Sequence, residues 1–175
     1  LEKIIILLRT HTGNDFSLYK KNTLYRRIER RMGIHKIDKI ISYVHYLQEN
    51  QAEVDILFKE LLIGVTNFFR DAPVWEKLKA EVLPGMLTKA KEGTVIRAWV
   101  PGCSTGEEAY SLAIVVKEVI EKVNPHGGIT LQVFATDLDN EAIETARKGI
   151  FPANIVADVS SARLNRFFVK TDNGY

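Results

Sequence analysis

The residues best able to do chemistry lie in VPGCSTGEEAYS, positions 100–111. This glycine-rich turn follows the β-rich run TVIRAWV (94–100) and opens the helical pattern GEEAYSLAIVVKEVIEKV (106–123). Such turns hold ligands for a physical reason. Glycine lets the backbone come close, and a helix N-terminus offers unpaired N–H groups at the positive end of its dipole. Nucleotide phosphates are the usual guests, but three features argue against them. No Lys-Ser/Thr pair follows the second glycine, and GCSTG lacks the third glycine of the dinucleotide fingerprint. In addition, Glu107 and Glu108 would repel a pyrophosphate at this turn. A ligand with a local positive charge and no phosphate avoids the conflict. S-adenosylmethionine, with an ammonium, a sulfonium and an adenosine, is such a molecule. A glutamate in the first helical turn can accept from its ammonium. Asp137, at the end of ITLQVFATD (129–137), suits two vicinal ribose hydroxyls that both donate to one carboxylate.

The same residues admit plainer roles. Ser104-Thr105-Gly106-Glu107 also reads as a capping box, with Thr105 and Glu108 as a second register. Asp137 or Asp139 can cap the next helix. Cys103 is either a reactive thiol at a helix N-terminus or a small residue that fits the turn.

The elements that must position these groups follow from periodicity. Residues 1–72 read as a small helical bundle. TGNDFSLYK (12–20) holds turn and cap residues, and LYRRIERRM (24–32) has helical spacing with Gly33 as its terminator. KIISYVHYLQEN (39–50) and QAEVDILFKELL (51–62) repeat apolar residues at helical intervals. GVTNFFRDAP (64–73) is a loop around two phenylalanines, and PVWEKLKAEVLPGML (73–87) a connecting helix, with 73–92 as linker. From 93 to 175 the order becomes strand, helix, strand, helix, the last being NEAIETARKG (140–149). Short links between such elements imply parallel strands in an α/β sheet. FPANI (151–155) reads as a loop, SSARLNRFF (160–168) as one or two helical turns, and FFVKT as a possible third strand. The expected fold is α/β: a helical bundle, then a Rossmann-like doubly wound domain that lacks part of its sheet.

Composition narrows the class. The chain has 175 residues, 46% hydrophobic and 26% charged, in the range of a soluble globular protein. No apolar run approaches the roughly 20 residues of a membrane helix. One cysteine rules out an internal disulfide, fits a reducing compartment and points to the cytoplasm. The four histidines, His11, His35, His45 and His126, have no metal-ligand spacing, and no metal is expected. The net charge of +2 hides an asymmetry: residues 1–40 carry ten Lys/Arg against four Asp/Glu. At about 100° per residue, Lys20, Arg26, Arg27, Arg30 and Arg31 are assigned to the arc opposite Leu24, Ile28 and Met32. Such a face is either solvated or awaits an anionic partner, a nucleic acid or an acidic helical protein. The start at Leu1 and the end at Tyr175 both read as cuts in a longer chain.

Taken together, these segments resemble the CheR chemotaxis receptor methyltransferases. DFSLYKKNTLYRRIERRM (15–32) is similar to that family's N-terminal helical domain, and LLIGVTNFFRD (61–71) to its T-x-F-F-R segment. VPGCSTGEEAYSLA (100–113) resembles its cofactor loop, and FATDLDNEAIETARKGIF (134–151) its second strand and helix. The resemblance implies methyl transfer from S-adenosylmethionine to glutamate side chains on chemoreceptor cytoplasmic helices. It implies that Gly102, Glu107 and Asp137 hold the cofactor, with Thr66 and Arg70 over it. Arg70 would also position the substrate carboxylate, its plainer role being a structural ion pair. Arg26, Arg27, Arg30 and Arg31 would meet acidic receptor helices, without nucleic acid and without membrane insertion. Two features depart from the pattern. Gly64 stands where the family often has asparagine, and the family continues past FFVKTDNGY with further strands. The incomplete sheet suggests self-association through its edge. A cofactor-free docking adaptor and a nucleic-acid methyltransferase or binder are the alternative functions.

Overall fold

The computed structural model describes residues 1–123 and 128–175; His126 lies outside the described residues. The chain divides into two compact units, Leu1–Ile63 and Gly64–Tyr175. The division falls earlier than the boundary at residue 72 read from the sequence. The reason is Phe68 and Phe69, whose rings are buried in the core of the second unit and carry the 64–71 loop with them.

The first unit is four helices: α1 (Glu2–Thr12), α2 (Lys21–Ile34), α3 (Ile40–Glu49) and α4 (Gln51–Leu61). Their apolar stripes meet in one core through Ile4, Leu8, Leu24, Ile28, Leu47 and Leu57. Gly13 ends α1 in a left-handed conformation, its N–H returning to Arg9 O. Gly33 does not end α2; the helix runs one residue further and His35 caps it.

Arg31 corrects the helical-wheel reading. Arg31 is buried, not outward-facing. It lies seven residues after Leu24, and seven residues are two helical turns, so the two side chains share the core face. Burying a charge requires a partner. Here Arg31 Nε and Nη2 donate to Glu53 Oε1 and Oε2 at 2.9 and 2.6 Å. Tyr43 Oη donates to Oε1 at 2.7 Å, and His35 Nε2 lies 2.8 Å from Oε2. Burial works to raise the Glu53 carboxyl, but the bonds from Arg31, Tyr43 and His35 outweigh it and hold it below its ordinary range. Burial pushes the Tyr43 phenol upward, so it stays a donor.

The second unit is built around α7 (Glu107–Val123), which crosses from β1 (Val95–Pro101) to β2 (Thr130–Thr136). The two strands pair in parallel, Val95 with Thr130 through Pro101 with Thr136. Before them lie α5 (Ala72–Lys77), a π-helical turn (Leu78–Val82) and α6 (Leu83–Leu87). The expected connecting helix is therefore interrupted. Pro84 lacks an N–H and would press on the carbonyl four residues back, and the wider turn just before it relieves that crowding. After β2 come α8 (Asn140–Lys148), a 3-10 turn at Ala153–Ala157 where a loop was expected, and α9 (Ser161–Phe167).

The FFVKT run forms no sheet strand among the described residues. Its end makes a bridge between Thr171 and Gly174, and Tyr175 exchanges both backbone bonds with Phe151 at 2.8 and 2.9 Å. One sheet face, Ile96, Ala98 and Val100, turns inward; on the other, Trp99 and Phe134 sit side by side and exposed. Glu118 on α7 ties this unit together. It accepts from Arg163 Nε and Nη2 at 2.8 and 2.9 Å and from Lys79 Nζ at 2.7 Å. The Arg163 hydrogen bonds, more than the opposing effect of burial, bring its carboxyl down to about 2. Among the described residues, no helix is long and apolar enough to cross a membrane.

Two outcomes follow from these charge pairs. Glu53→Gln leaves Arg31 uncompensated and should lower stability by about 3 kcal/mol in urea unfolding, while exposed Arg26→Gln should change it by less than about 0.5 kcal/mol. The Glu118 carboxyl lies lower in the folded chain than its ordinary value of 4.5, so its contribution is present above pH 4.5 and disappears as pH falls toward 2. Acid titration of the wild-type chain should therefore show a larger loss of stability through that window than Glu118→Gln shows, the remainder coming from groups such as Glu53.

Candidate functional site

The strand register determines where the site lies. Pro101 and Thr136 end β1 and β2 opposite one another, so the 102–106 and 137–139 loops leave the sheet side by side. In parallel α/β sheets ligands bind at the carboxyl ends of the strands. Cys103 N–H donates to Thr136 O at 3.0 Å and extends the pairing by one more bond. Gly102 lies at φ 68°, a left-handed conformation that L side chains rarely adopt, and nothing lies within 4 Å of where its Cβ would be.

Asp137 joins the two loops. Its Oδ2 accepts from Ser104 N–H at 2.7 Å and its Oδ1 from Asp139 N–H at 2.9 Å. Asp139 is the helix cap, with Oδ1 accepting from Glu141 and Ala142 N–H at 2.9 and 3.2 Å. The two aspartates thus divide the roles that the sequence left open. Asp137 remains only half-buried. Each of its oxygens accepts one backbone bond, and a carboxylate has about four acceptor sites, so two remain for hydroxyl donors.

Glu107 is half-buried at the first turn of α7, and its Oε2 accepts from Thr105 Oγ1 at 2.6 Å. The alternative reading of a capping box between Ser104 and Glu107 is not what forms. Ser104 instead sits at φ 48°, 7% exposed, with Oγ donating to Gly64 O at 3.3 Å. A Cβ at position 64 would meet that same Oγ at 3.0 Å, so the absence of a side chain there is what permits the contact. Ser104 therefore gathers three segments: the glycine turn, the Asp137 loop and the start of the 64–71 loop. Sequence reasoning weighed Ser104 only as a cap and missed this role, since the signal needed was the proximity of Gly64.

The 64–71 loop carries Thr66, half-buried, and Arg70, exposed. Arg70 Nη1 donates to Val65 O at 2.8 Å and Arg70 O accepts from Trp75 Nε1 at 2.7 Å. Among the described residues Arg70 makes no ion pair, so the plainer reading of a structural salt bridge does not describe it. Its neighbours Phe69 and Asp71 both lie at positive φ, 51° and 59°. Backbone strain of this kind persists only where surrounding contacts impose it.

Cys103 is 1% exposed. Burial, followed by the negative charge of Asp137, pushes its thiol up from the ordinary value. It packs with Val100 and Ala109 under the turn, the role of a small residue that fits.

Of the four arginines assigned to a partner face, Arg26 is exposed and Arg31 is buried as described above. Arg27 and Arg30 both lean toward Glu60 Oε2, at 3.8 and 3.3 Å. Arg30 keeps 59% of its side chain exposed.

Residues 1–62 match the CheR methyltransferase all-alpha domain, and residues 64–175 match the CheR methyltransferase SAM binding domain. The chain belongs to the CheR methyltransferase family. Its second unit matches the S-adenosylmethionine-binding domain of that family, with a two-stranded parallel sheet among the described residues, and S-adenosylmethionine is its cofactor. Among similar proteins, the uncharacterized 104.1 kDa protein in the hypE 3′ region of Rhodobacter capsulatus is 38% identical over 175 residues, all of this chain and 18% of that protein. Chemotaxis protein methyltransferase 2 of Vibrio cholerae is 29% identical over 94% of this chain and 57% of its own length. The chemotaxis protein methyltransferase of Salmonella typhimurium is 29% identical over 96% of this chain and 55% of its own. The chain thus spans little more than half of these two relatives.

The buried, acid-flanked thiol should not react. Iodoacetamide at pH 8 should label Cys103 at least about tenfold more slowly in the folded chain than in guanidinium, because the thiolate is the reactive form. Equal rates, read by mass spectrometry, would show an exposed thiolate instead.

Proposed function

We propose that this chain is the cofactor-binding part of an enzyme that methylates glutamate side chains on chemoreceptors. The observation that carries the reading is the convergence, at the carboxyl ends of β1 and β2, of Glu107, Asp137 and the Arg70 loop around Ser104. The donor set suits the ligand. Glu107, whose Oε2 accepts from Thr105, can accept from an ammonium through Oε1. Asp137 retains acceptor sites for ribose hydroxyls. Gly102 leaves open space beside the turn. S-adenosylmethionine, when bound there, supplies an electrophilic methyl group.

The chain's own residues have little else to provide. A glutamate substrate is ionised near pH 7 and needs no general base to become a nucleophile. What remains is to align it and to remove water from it. Arg70, exposed and unpaired by any carboxylate among the described residues, is the group that would hold the substrate carboxylate. Thr66 and Arg70, on the same loop, would both lie over the cofactor.

On the first unit, Arg26 and Arg30 provide the exposed cations for an acidic receptor helix, with Arg27 beside them; Arg31 is committed to Glu53. The relatives named chemotaxis protein methyltransferase support this substrate class.

Calorimetric titration with S-adenosylhomocysteine tests the cofactor site. Binding by the wild-type chain that weakens at least about tenfold in Asp137→Ala, and again in Glu107→Gln, is the expected result; loss of a charge-assisted hydrogen bond is of that size. No binding by the wild type would overturn the reading and favour a docking adaptor.

A further inference from the structure

Ser111 lies one turn into α7, four residues after Glu107, on the buried side of the helix. It is 0% exposed, a polar residue among Ile114, Val115 and Val119. Neither its burial nor its type is explained by helix formation alone. Its hydroxyl is used twice. Oγ accepts from Phe69 N–H at 3.0 Å and donates to Glu107 O at 2.7 Å. The directions are unambiguous, because a backbone N–H only donates and a carbonyl only accepts. Only a hydroxyl at this position can do both well.

Phe69 is the residue before Arg70. It is held from a second side: the Arg163 guanidinium lies 4.1 Å from the centre of its ring, and Arg163 is itself fixed by Glu118. The Phe69 backbone is at φ 51°, which a β-carbon-bearing residue keeps only when contacts impose it. Ser111 supplies the backbone contact and Arg163 the ring contact.

We propose that Ser111 is a positioning residue for the methyl-transfer site, coupling the Arg70 loop to the first turn of α7. The inference rests on the reading of Arg70 and Glu107 given above. Through one hydroxyl, the placement of Arg70 and that of the Glu107 backbone become a single adjustment. Arg163 clamps the same loop from the ring side. Loss of either hold frees the backbone at Phe69 to leave its left-handed conformation, and Arg70 moves with it.

Two measurements on the whole chain test this. The first needs no ligand: amide hydrogen exchange across residues 64–71. Ser111→Ala should speed exchange at Phe69 by about tenfold or more while the rest of α7 and β1 stays unchanged. Ser111→Thr, which keeps the hydroxyl, should restore the wild-type rate. Arg163→Met, which removes the cation from the ring and leaves Glu118 with Lys79, should show the same local signature and serves if Ser111→Ala does not fold. Unchanged exchange in Ser111→Ala and Arg163→Met, or equal changes in Ser111→Ala and Ser111→Thr, overturns the proposal.

The second is a double-mutant cycle on S-adenosylhomocysteine affinity. Ser111→Ala should weaken binding about tenfold alone and by a clearly smaller factor when Arg70 is already Ala, since the part of its effect carried by Arg70 is then absent. Equal losses in both backgrounds overturn the coupling. A wild-type chain that binds no S-adenosylhomocysteine counts against the cofactor reading, and the exchange measurement then decides the role of Ser111 separately.

Discussion

The second unit depends on the need to bury α7. Ile114, Val115, Val116, Val119 and Ile120 spread over roughly two-thirds of the helix circumference at about 100° per residue, and all five are buried, while Lys117 and Glu121 hold the remaining arc in solvent. A helix with so wide an apolar face must be covered from more than one side. The sheet and the aromatic cluster of Phe68, Phe151 and Phe168 cover part of it, and α6 packs against it as well. Enclosure explains why the 64–71 loop belongs here, since its two phenylalanines help to close the core. It also explains the placement of the site. The first turn of α7 is the end at which the enclosure stops and the glycine turn begins.

Around that opening the polar groups do not stand alone. Asp137 accepts backbone bonds from both loops, Ser104 reaches Gly64, and Ser111 reaches Phe69. Three residues here hold positive φ without being glycine: Ser104, Phe69 and Asp71. Each such residue costs about 1–3 kcal/mol, and the dense side-chain-to-backbone bonding around them is what offsets it. A site held this way is arranged before its ligand arrives. Preorganisation of this kind matters for a reaction in which alignment is the main task.

The first unit follows a different logic. Its core is apolar except for one charge cluster, Arg31 with Glu53, Tyr43 and His35. The cluster is satisfied on each carboxylate oxygen, which is the condition under which buried ions are tolerated. Its consequence for the surface is a smaller basic face. Glu60 partly offsets Arg27 and Arg30, and Lys20, Arg26 and Arg30 stay exposed on that face.

Much of the fold was legible in the sequence, because helix and strand periodicities are local. Helices α2, α3 and α4, both strands, α7 and α8 appear where the apolar spacing put them, and α1 lies in the stretch read as helical without a spacing of its own. The glycine turn and Asp137 were legible for the same reason: a strand end, a turn and a helix start are neighbours in the chain. Arg31 was also locally readable, since a seven-residue interval from Leu24 places it inward, although its charge suggested otherwise. The π-helical turn before Pro84 was not, because it arises from crowding between a ring and a carbonyl one turn away. What only the tertiary structure decided are the contacts that span distant segments: Ser104 with Gly64, Ser111 with Phe69, and Arg163 with Glu118 and the Phe69 ring. A serine in a helix has no periodicity that reveals its partner. Its partner is set by which loop the core draws over it, and that depends on how the whole unit packs.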